Sequence, residues 1–345
     1  MRLLTRYSVL VMAFAIAACG GGDKSATADR APAGTSAPAG RGLKIAMIAK
    51  SSSNPVFRSA REGAETAAKE FRQRTGLVIE IAWLTPEMED AQVQAQRIAQ
   101  GVSDGANAVL ISCSDASKVT TAIDDAVAKG VPVMTFDSDA PQSKRFAFLG
   151  IDDVKAGQRV FEELAERIGD AGSVAVLAGN RDAPNLRKRV QGVQEAAKAH
   201  PKIKIVGTYY HVETPQAAAD EVLRVQKESP QIKGWAMLGG WPLYGQTLLT
   251  ALDPKKVQIV AIDALPSQLA YVQKGLAPVL LAQPTYDWGH EAVRTIVEKV
   301  SQKKNPPEII PMELFRVTSE NLGTWARQLK RWGFTDVPEA YLALP

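Results

Sequence analysis

The sequence is poor in the residues from which most metal and catalytic centres are built. It has two cysteines and three histidines among 345 residues. With so few ligands of this kind, a zinc site of the Cys/His type is nearly excluded. No G-x-x-x-x-G-K-[ST] loop is present, and no G-x-G-x-x-G follows the first apolar run, which argues against a P-loop site and a dinucleotide cofactor. We therefore expect no metal and no cofactor.

The sequence also lacks an excess of charge of one sign. Its 41 basic and 37 acidic residues are interspersed and give a formal net charge of +4. No run of five lysines or arginines occurs, so nothing in the charge pattern predicts a nucleic-acid partner. Hydrophobic residues make up 46% and charged residues 23% of the chain, which is typical of a soluble globular protein and excludes a disordered chain.

Recognisable nucleophile motifs are scarce as well. Residues 101–105 match the G-x-S-x-G pattern around Ser103. A nucleophile elbow needs a strand before the serine and a helix after it, whereas here a helical segment precedes it and an apolar strand follows. The pattern is better explained as a helix end followed by a tight turn, and we predict no enzymatic activity.

The first 42 residues have the composition of an export segment and a tether. Arg2 and Arg6 precede ten uninterrupted apolar residues, 9–18, which is too few to span a bilayer, since spanning takes about 20. Residues 1–18 therefore read as a signal peptide. The run ending at Cys19 resembles a bacterial lipobox, so Cys19 is a candidate lipidation site; an ordinary signal peptide with an incidental cysteine is the alternative.

Eighteen of residues 20–42 are Gly, Ala, Ser, Thr or Pro, which predicts a flexible tether over 19–42.

From residue 43 onward, short apolar runs alternate with segments of helical period. This alternation predicts an α/β fold with parallel, doubly wound sheets. Ten strands exceed what one core usually holds, so we expect two such lobes with a ligand cleft at the carboxyl ends of the strands. The ten predicted strands are 44–49, 77–84, 108–112, 132–136, 146–150, 173–178, 203–209, 234–238, 257–262 and 278–282.

Polar side chains follow the predicted strands at the edge where a cleft would form. They can make planar or charge-assisted hydrogen bonds, as sugar hydroxyls require, and Phe57 and Trp241 could cover the apolar face of a sugar ring. Taken singly, Asn54, Asp137 or Asp139 could instead cap a helix. The candidate ligand-binding residues are Lys50, Asn54, Phe57, Asp137, Ser138, Asn185, Arg187, Trp241, Asp263 and Gln283.

These segments resemble those of ribose-type periplasmic sugar-binding proteins, which have the periplasmic binding protein type I fold. The resemblance rests on residues 44–68, with Ser-Asn-Pro-Val-Phe, on 131–140 with its Asp-Ser-Asp, and on 257–263 and 278–283. It covers about residues 43–315 and implies sugar contacts at the residues Asn54, Phe57, Asp137, Arg187, Asp263 and Gln283.

The sequence departs from the ribose binders at three candidate positions. Lys50 stands where the ribose binders carry a small hydroxyl residue. In having a lysine there, the sequence resembles the rhamnose- and autoinducer-2-binding branches. Ser138 replaces an arginine, and Trp241 lies near the place of an asparagine. Ribose itself is therefore a doubtful ligand.

The resemblance implies a three-strand hinge, with chain crossings near 150–153, 282–285 and 311–314. The N-terminal lobe would comprise residues 43–150 and 284–311, and the C-terminal lobe with its tail residues 151–283 and 312–345. No function is evident for the tail 318–345 beyond packing on a lobe.

The function implied is an extracytoplasmic lipoprotein that captures a monosaccharide and delivers it to the permease of an ABC importer. We expect a monomer in the periplasm or at the cell surface, held to the membrane by its lipid alone. Two alternatives remain open: a binding protein that signals the same ligand to a membrane receptor, and a sugar-modifying enzyme. A transcription regulator of this fold is disfavoured, because an export signal stands where its DNA-binding part would be.

Overall fold

A computed structural model of the protein describes residues 42–344. The predicted signal peptide, Cys19 and nearly all of the predicted tether lie outside these residues. Among residues 42–344, no helix is both long and apolar enough to cross a membrane. Cys113 is buried and forms no disulfide there.

Within residues 42–344 the chain builds two six-stranded sheets. The first has the order β11-β5-β4-β3-β1-β2 and the second β12-β10-β9-β8-β6-β7. All neighbouring strands are parallel except β10 and β12. The strands are β1 (Leu43–Ile48), β2 (Ile79–Trp83), β3 (Ala108–Ile111), β4 (Val133–Phe136), β5 (Ala147–Gly150), β6 (Gly172–Ala178), β7 (Ile203–Tyr210), β8 (Ile232–Met237), β9 (Gln258–Ile262), β10 (Val279–Ala282), β11 (Ile309–Pro311) and β12 (Phe315–Val317).

Helices cover both faces of each sheet. Alternate residues of a strand point to opposite faces: Ile45 and Met47 of β1 belong to one hydrophobic cluster, and Ala46 and Ile48 to another. This two-sided burial explains the continuous apolar strands in the sequence. The helices are α1 (Pro55–Thr75), α2 (Ala91–Ser103), α3 (Ala116–Ala128), α4 (Asp153–Arg167), α5 (Pro184–Ala197), α6 (Pro215–Glu228), α7 (Leu269–Gln273), α8 (Thr285–Ser301), α9 (Leu322–Arg331) and α10 (Glu339–Leu342).

The ten strands expected from the sequence are confirmed, and so is the α/β class with two parallel sheets. The strands β11 and β12 were not expected from the sequence. Both are three residues long, and β11 is partly exposed, so neither gives the long apolar run on which the prediction depended.

The chain passes between the two sheets at three places. It leaves the first sheet after β5 and enters α4, which packs on the second sheet; it returns between β10 and α8; and it crosses again between β11 and β12. We call the first sheet with α1, α2, α3 and α8 the first lobe, and the second sheet with the remaining helices the second lobe.

A close contact between α4 and α5 fixes the position of α5 in the second lobe. A Cβ atom on Gly157 of α4 would lie 1.9 Å from the carbonyl oxygen of Arg189, and one on Gly192 of α5 would lie 2.0 Å from that of Val154. Only glycine allows the two backbones to approach so closely. The contact holds α5, and with it Asn185 and Arg189, at a fixed place against α4.

We therefore expect Gly192→Ala to destabilise the protein. The new methyl group would overlap a backbone carbonyl, and overpacking of this kind costs about 1–3 kcal/mol or more. Gln191→Ala is the matched control, because Gln191 is the exposed neighbour on the same helix. Urea unfolding measures both; equal midpoints for the two variants would contradict the close-packing argument.

Candidate functional site

Two aspartates occupy equivalent places at the strand ends of the two lobes. Asp137 follows β4 and Asp263 follows β9, and both have positive φ values, 56° and 72°. The amide of Asp137 donates to Leu149 on the next strand, and the amide of Asp263 donates to Leu281. Left-handed backbone is unfavourable for residues other than glycine and collects at functional sites. In both lobes it places a buried carboxylate just after the carboxyl end of a strand.

A buried arginine lies between these two aspartates. The guanidinium of Arg189 donates to Asp153 at 2.8 Å, to the carbonyl oxygen of Leu238 at 2.9 Å and to Gln283 at 2.8 Å. One oxygen of Asp137, from the other lobe, lies 4.0 Å from its Nη2. Arg189 is 2% exposed, so its charge is matched by partners rather than by water.

The structure differs from the sequence analysis over which arginine enters the site. Arg187 is exposed on α5, and the buried guanidinium belongs to Arg189. On a helix, residues four apart share a face and residues two apart do not. Asn185 was expected in the site, and the residue four positions after it on the same helix face is Arg189. Helical spacing from Asn185 could therefore have identified this arginine.

Side chains of the two lobes contact each other directly across the cleft. Lys50 donates to Asn185 at 3.2 Å, and Asn185 donates to Asp137 at 3.2 Å. Asp137 also accepts a hydrogen bond from Ser112 at 2.7 Å. The lobes are thus closed on one another, and Lys50, Asp137 and Asn185 are each at most 5% exposed.

The second aspartate is held by its own lobe. Asp263 accepts hydrogen bonds from Gln283 at 2.8 Å, from the hydroxyl of Tyr244 at 2.7 Å and from the amide of Gly240 at 3.3 Å. Burial raises the pKa of Asp263 although Gln283 and Tyr244 donate to it. Gln283, at the second chain crossing, therefore joins Asp263 to Arg189. Tyr244 is not among the residues expected from the sequence, although it lies three residues after Trp241.

The other candidate residues are buried, and several have a clear structural role. Asn54 caps α1 by accepting from the amide of Val56 at 3.1 Å. The ring of Phe57 packs in the core of the first lobe, where its centroid lies 6.3 Å from that of Phe136 and 6.4 Å from that of Trp288. These contacts fix the positions of the two residues.

Ser138, Trp241 and Asp139 lie at strand ends. The hydroxyl of Ser138 is buried and has no hydrogen-bond partner among residues 42–344. The indole of Trp241 lies against Gly179 and Gly239, with the ring of His211 at 4.9 Å. Asp139 is bound twice by Arg145, at 2.6 and 2.8 Å, and so serves the first lobe rather than the cleft.

A cavity of about 480 Å³ opens at the edge of the cleft, between the lobes. The first lobe contributes Ser51, Ser53 and Glu89, and the second contributes Asn180 and Glu213 among others. Its volume is within the range of small-molecule pockets, roughly 300–1,000 Å³. Neither glutamate is expected from the sequence, because neither directly follows a strand: β2 ends at Trp83 and β7 at Tyr210.

The two glutamates of this cavity come from opposite lobes. Burial and the nearby carboxylate of Glu213 raise the pKa of Glu89 to about 7, against the attraction of Lys50, which lies 3.9 Å away. Burial also opposes the charge of Lys50, but Glu213, Glu89 and Asp137 outweigh it and raise its pKa. Lys50 is therefore a cation shared among carboxylates of both lobes.

The buried groups retain hydrogen-bonding capacity that the described residues, 42–344, do not use. A guanidinium has five N–H groups, and Arg189 uses three of them in the bonds described above. An ammonium group has three N–H groups and a carboxylate about four acceptor positions; Lys50 donates one hydrogen bond and Asp137 accepts two. Donors and acceptors thus adjoin each other between the lobes, as a ligand with several hydroxyl groups would require.

Two lobes that close over such a site define a protein that binds a small solute. The chain belongs to the periplasmic binding protein domain family, which matches residues 45–304. It is 31% identical over 156 residues to the ribose import binding protein of Bacillus subtilis, a match that covers 45% of this chain and 48% of that protein. The chain thus spans about half the length of that relative.

Longer matches give the same picture. The chain is 25% identical over 254 residues to the D-apiose import binding protein of Actinobacillus succinogenes, covering 72% of this chain and 79% of that protein. Among solved structures, an ABC transporter solute-binding protein from Burkholderia graminis in complex with D-arabinose superposes with a TM-score of 0.75 at 25% identity, covering 81% of this chain and 96% of that one. These relatives are binding proteins, and the two-lobed fold expected from the resemblance is confirmed.

The carboxylate pair at the cavity predicts that closure of the lobes depends on pH. In an open arrangement Glu89 would return towards its ordinary pKa of 4.5, whereas in the closed one its pKa is about 7. At pH values between 4.5 and about 7, the closed form therefore binds up to one proton more than the open form. Closure is therefore most favourable at low pH, weakens by up to about tenfold per pH unit as the pH rises to 7, and changes no further above it.

Small-angle scattering of the protein between pH 5 and 8 measures this effect. The radius of gyration should rise with pH in the wild type and rise less in Glu89→Gln. Glu87→Gln, at an exposed position two residues away, is the control and should behave as the wild type. A pH response that Glu89→Gln leaves unchanged would show that other groups are responsible.

Proposed function

We propose that this protein captures a monosaccharide between its lobes and delivers it to an ABC importer. The observation that supports this most directly is the adjoining pair Asp137 and Arg189, 4.0 Å apart, buried, from different lobes and each with unused hydrogen-bonding positions. A carboxylate next to a guanidinium matches two neighbouring hydroxyl groups, one donating and one accepting. Relatives named for import of ribose and D-apiose have the same family fold.

Closing the cleft over the sugar gives the importer a shape to recognise. Ligand contacts on both lobes give the ligand different affinities for the open and closed forms, and only such a difference can shift the population towards closure. The loaded protein would then present a surface that the empty, open protein lacks. A binding protein of this kind performs no chemistry on its sugar.

A thermal-shift screen over free pentoses, hexoses and deoxyhexoses tests the proposed ligand class. A sugar at 100 times its dissociation constant should stabilise the protein by about 2.7 kcal/mol. Absence of a shift with every sugar, at concentrations up to millimolar, would overturn the proposal.

Arg189 should determine affinity and Arg187 should not. Arg189→Lys removes the planar group that bonds Asp153, Leu238 and Gln283, and loss of a charged hydrogen bond costs about 1.5–3 kcal/mol. We expect affinity for the sugar to fall about 10- to 150-fold by calorimetry. Arg187→Lys, two residues away and exposed, is the matched control; equal affinities for the two variants would remove Arg189 from the site.

We further propose that the protein is anchored outside the cytoplasm by a lipid on Cys19, after removal of residues 1–18. The support is the lipobox-like run before Cys19 and the composition of the segment after it. Cys19→Ala should move the protein from the membrane fraction to the soluble fraction without changing sugar binding. Cys113→Ala, at the other cysteine, should leave it with the membrane; membrane association of Cys19→Ala would disprove the anchor.

A further inference from the structure

The C-terminal segment is integrated into the second lobe next to the proposed sugar site. It lies beyond residue 304, where the family match ends. Leu322, Trp325 and Leu329 of α9 are buried in the hydrophobic cluster of the second lobe. The indole N–H of Trp325 donates to the carbonyl oxygen of Ala264 at 2.7 Å. Ala264 follows Asp263 directly, so this helix holds the loop that carries a site carboxylate.

After α9 the chain turns and touches the first lobe. Trp332 stacks on Tyr286 of α8, with ring centroids 5.9 Å apart and an angle of 7° between the planes. Gly333 has a φ of 89°, and a Cβ atom there would lie 3.4 Å from Glu62 of α1. Phe334 packs against the hydrophobic clusters of both lobes. We call Trp332–Gly333–Phe334 the C-terminal bridge.

Beyond the bridge the chain returns to the second lobe, where Val337 and Tyr341 are buried. Both ends of the bridge are thus fixed to the second lobe, and its middle rests on the first. This contact adds to the three chain crossings and differs from them, since it is non-covalent and can separate when the lobes open.

The loop that carries Asp263 also reaches from the second lobe to the first, next to the C-terminal bridge. Leu265, two residues after Asp263, is 4% exposed and belongs to the hydrophobic cluster of the first lobe. Residues 263–265 therefore carry a site carboxylate, a carbonyl held by Trp325 and a side chain inserted into the opposite lobe. Opening the cleft would withdraw Leu265 and Phe334 together and expose both to water.

We propose that the C-terminal bridge is a positioning element of the binding site, which stabilises the closed arrangement and slows release of the ligand. Its effect on release rests on the proposed function; its effect on closure does not. Loss of the bridge removes apolar contact that only the closed form makes, so the population shifts towards the open form.

The test compares Phe334→Ala with Val337→Ala in the whole chain. Spin labels at Lys129→Cys and Lys227→Cys, on exposed helix ends of the two lobes, report the distance between the lobes without ligand. We expect Phe334→Ala to move the distribution to longer distances and to raise the dissociation rate of the bound sugar roughly tenfold. Val337→Ala, which removes buried volume in the second lobe only, should change neither, and Phe334→Leu should restore both.

Equal distance distributions for the wild type and Phe334→Ala would overturn the proposal. Equal changes in Phe334→Ala and Val337→Ala would also overturn it, because they would reflect general loosening of the tail. If Phe334→Ala does not fold, Tyr286→Leu removes the stacking contact from the first lobe and should give the same shift. Failure of every sugar to bind would refute the proposed function while the distance measurement still decides the role of the bridge.

Discussion

The closed arrangement depends on the burial of one guanidinium group, that of Arg189. A guanidinium cannot lose its proton inside a protein, so it can be buried only among partners. Three of them, Asp153, Leu238 and Gln283, lie in the second lobe or at its chain crossings, so they remain in place when the lobes separate. Asp137 comes from the first lobe, and its proximity exists only in the closed cleft. The second lobe therefore offers a preformed cation, and the first lobe supplies the carboxylate that completes its surroundings.

The two lobes have the same local structure at the strand ends near this cation. Each ends an apolar strand with an aspartate in left-handed backbone, Asp137 in one and Asp263 in the other. Each aspartate also keeps its amide bonded to the neighbouring strand. The strained turn stops the strand and sends the carboxylate out of the sheet at the edge where the other lobe lies. The site is thus built from the same edge of two similar sheets, which is why neither lobe contains it alone.

Sequence patterns predicted those features that depend on neighbouring residues. The ten longer strands are buried on both faces and appear as apolar runs, and Asp137, Asp263 and Gln283 stand out because a polar residue follows such a run directly. The choice between Arg187 and Arg189 depended on helix phase, which the position of Asn185 contained but strand-end reasoning did not use. Glu89 and Glu213 meet only through closure of the lobes, so no local pattern could connect them. The strands β11 and β12 are too short to leave a pattern at all.

Direct contacts between the lobes also impose a chemical requirement on a ligand. In the closed cleft Asn185 accepts from Lys50 and donates to Asp137, so a ligand that enters there must replace both hydrogen bonds. An apolar ligand would match neither of these bonds, so among residues 42–344 Asp137 would keep only Ser112 as a hydrogen-bond donor and Lys50 only the ion pair with Glu89, which is costly for buried charged groups. A hydroxyl group donates and accepts at one oxygen, so neighbouring hydroxyls can satisfy Lys50 and Asp137 together. Selectivity for polyols then follows from the penalty on other ligands as much as from the bonds that a sugar gains.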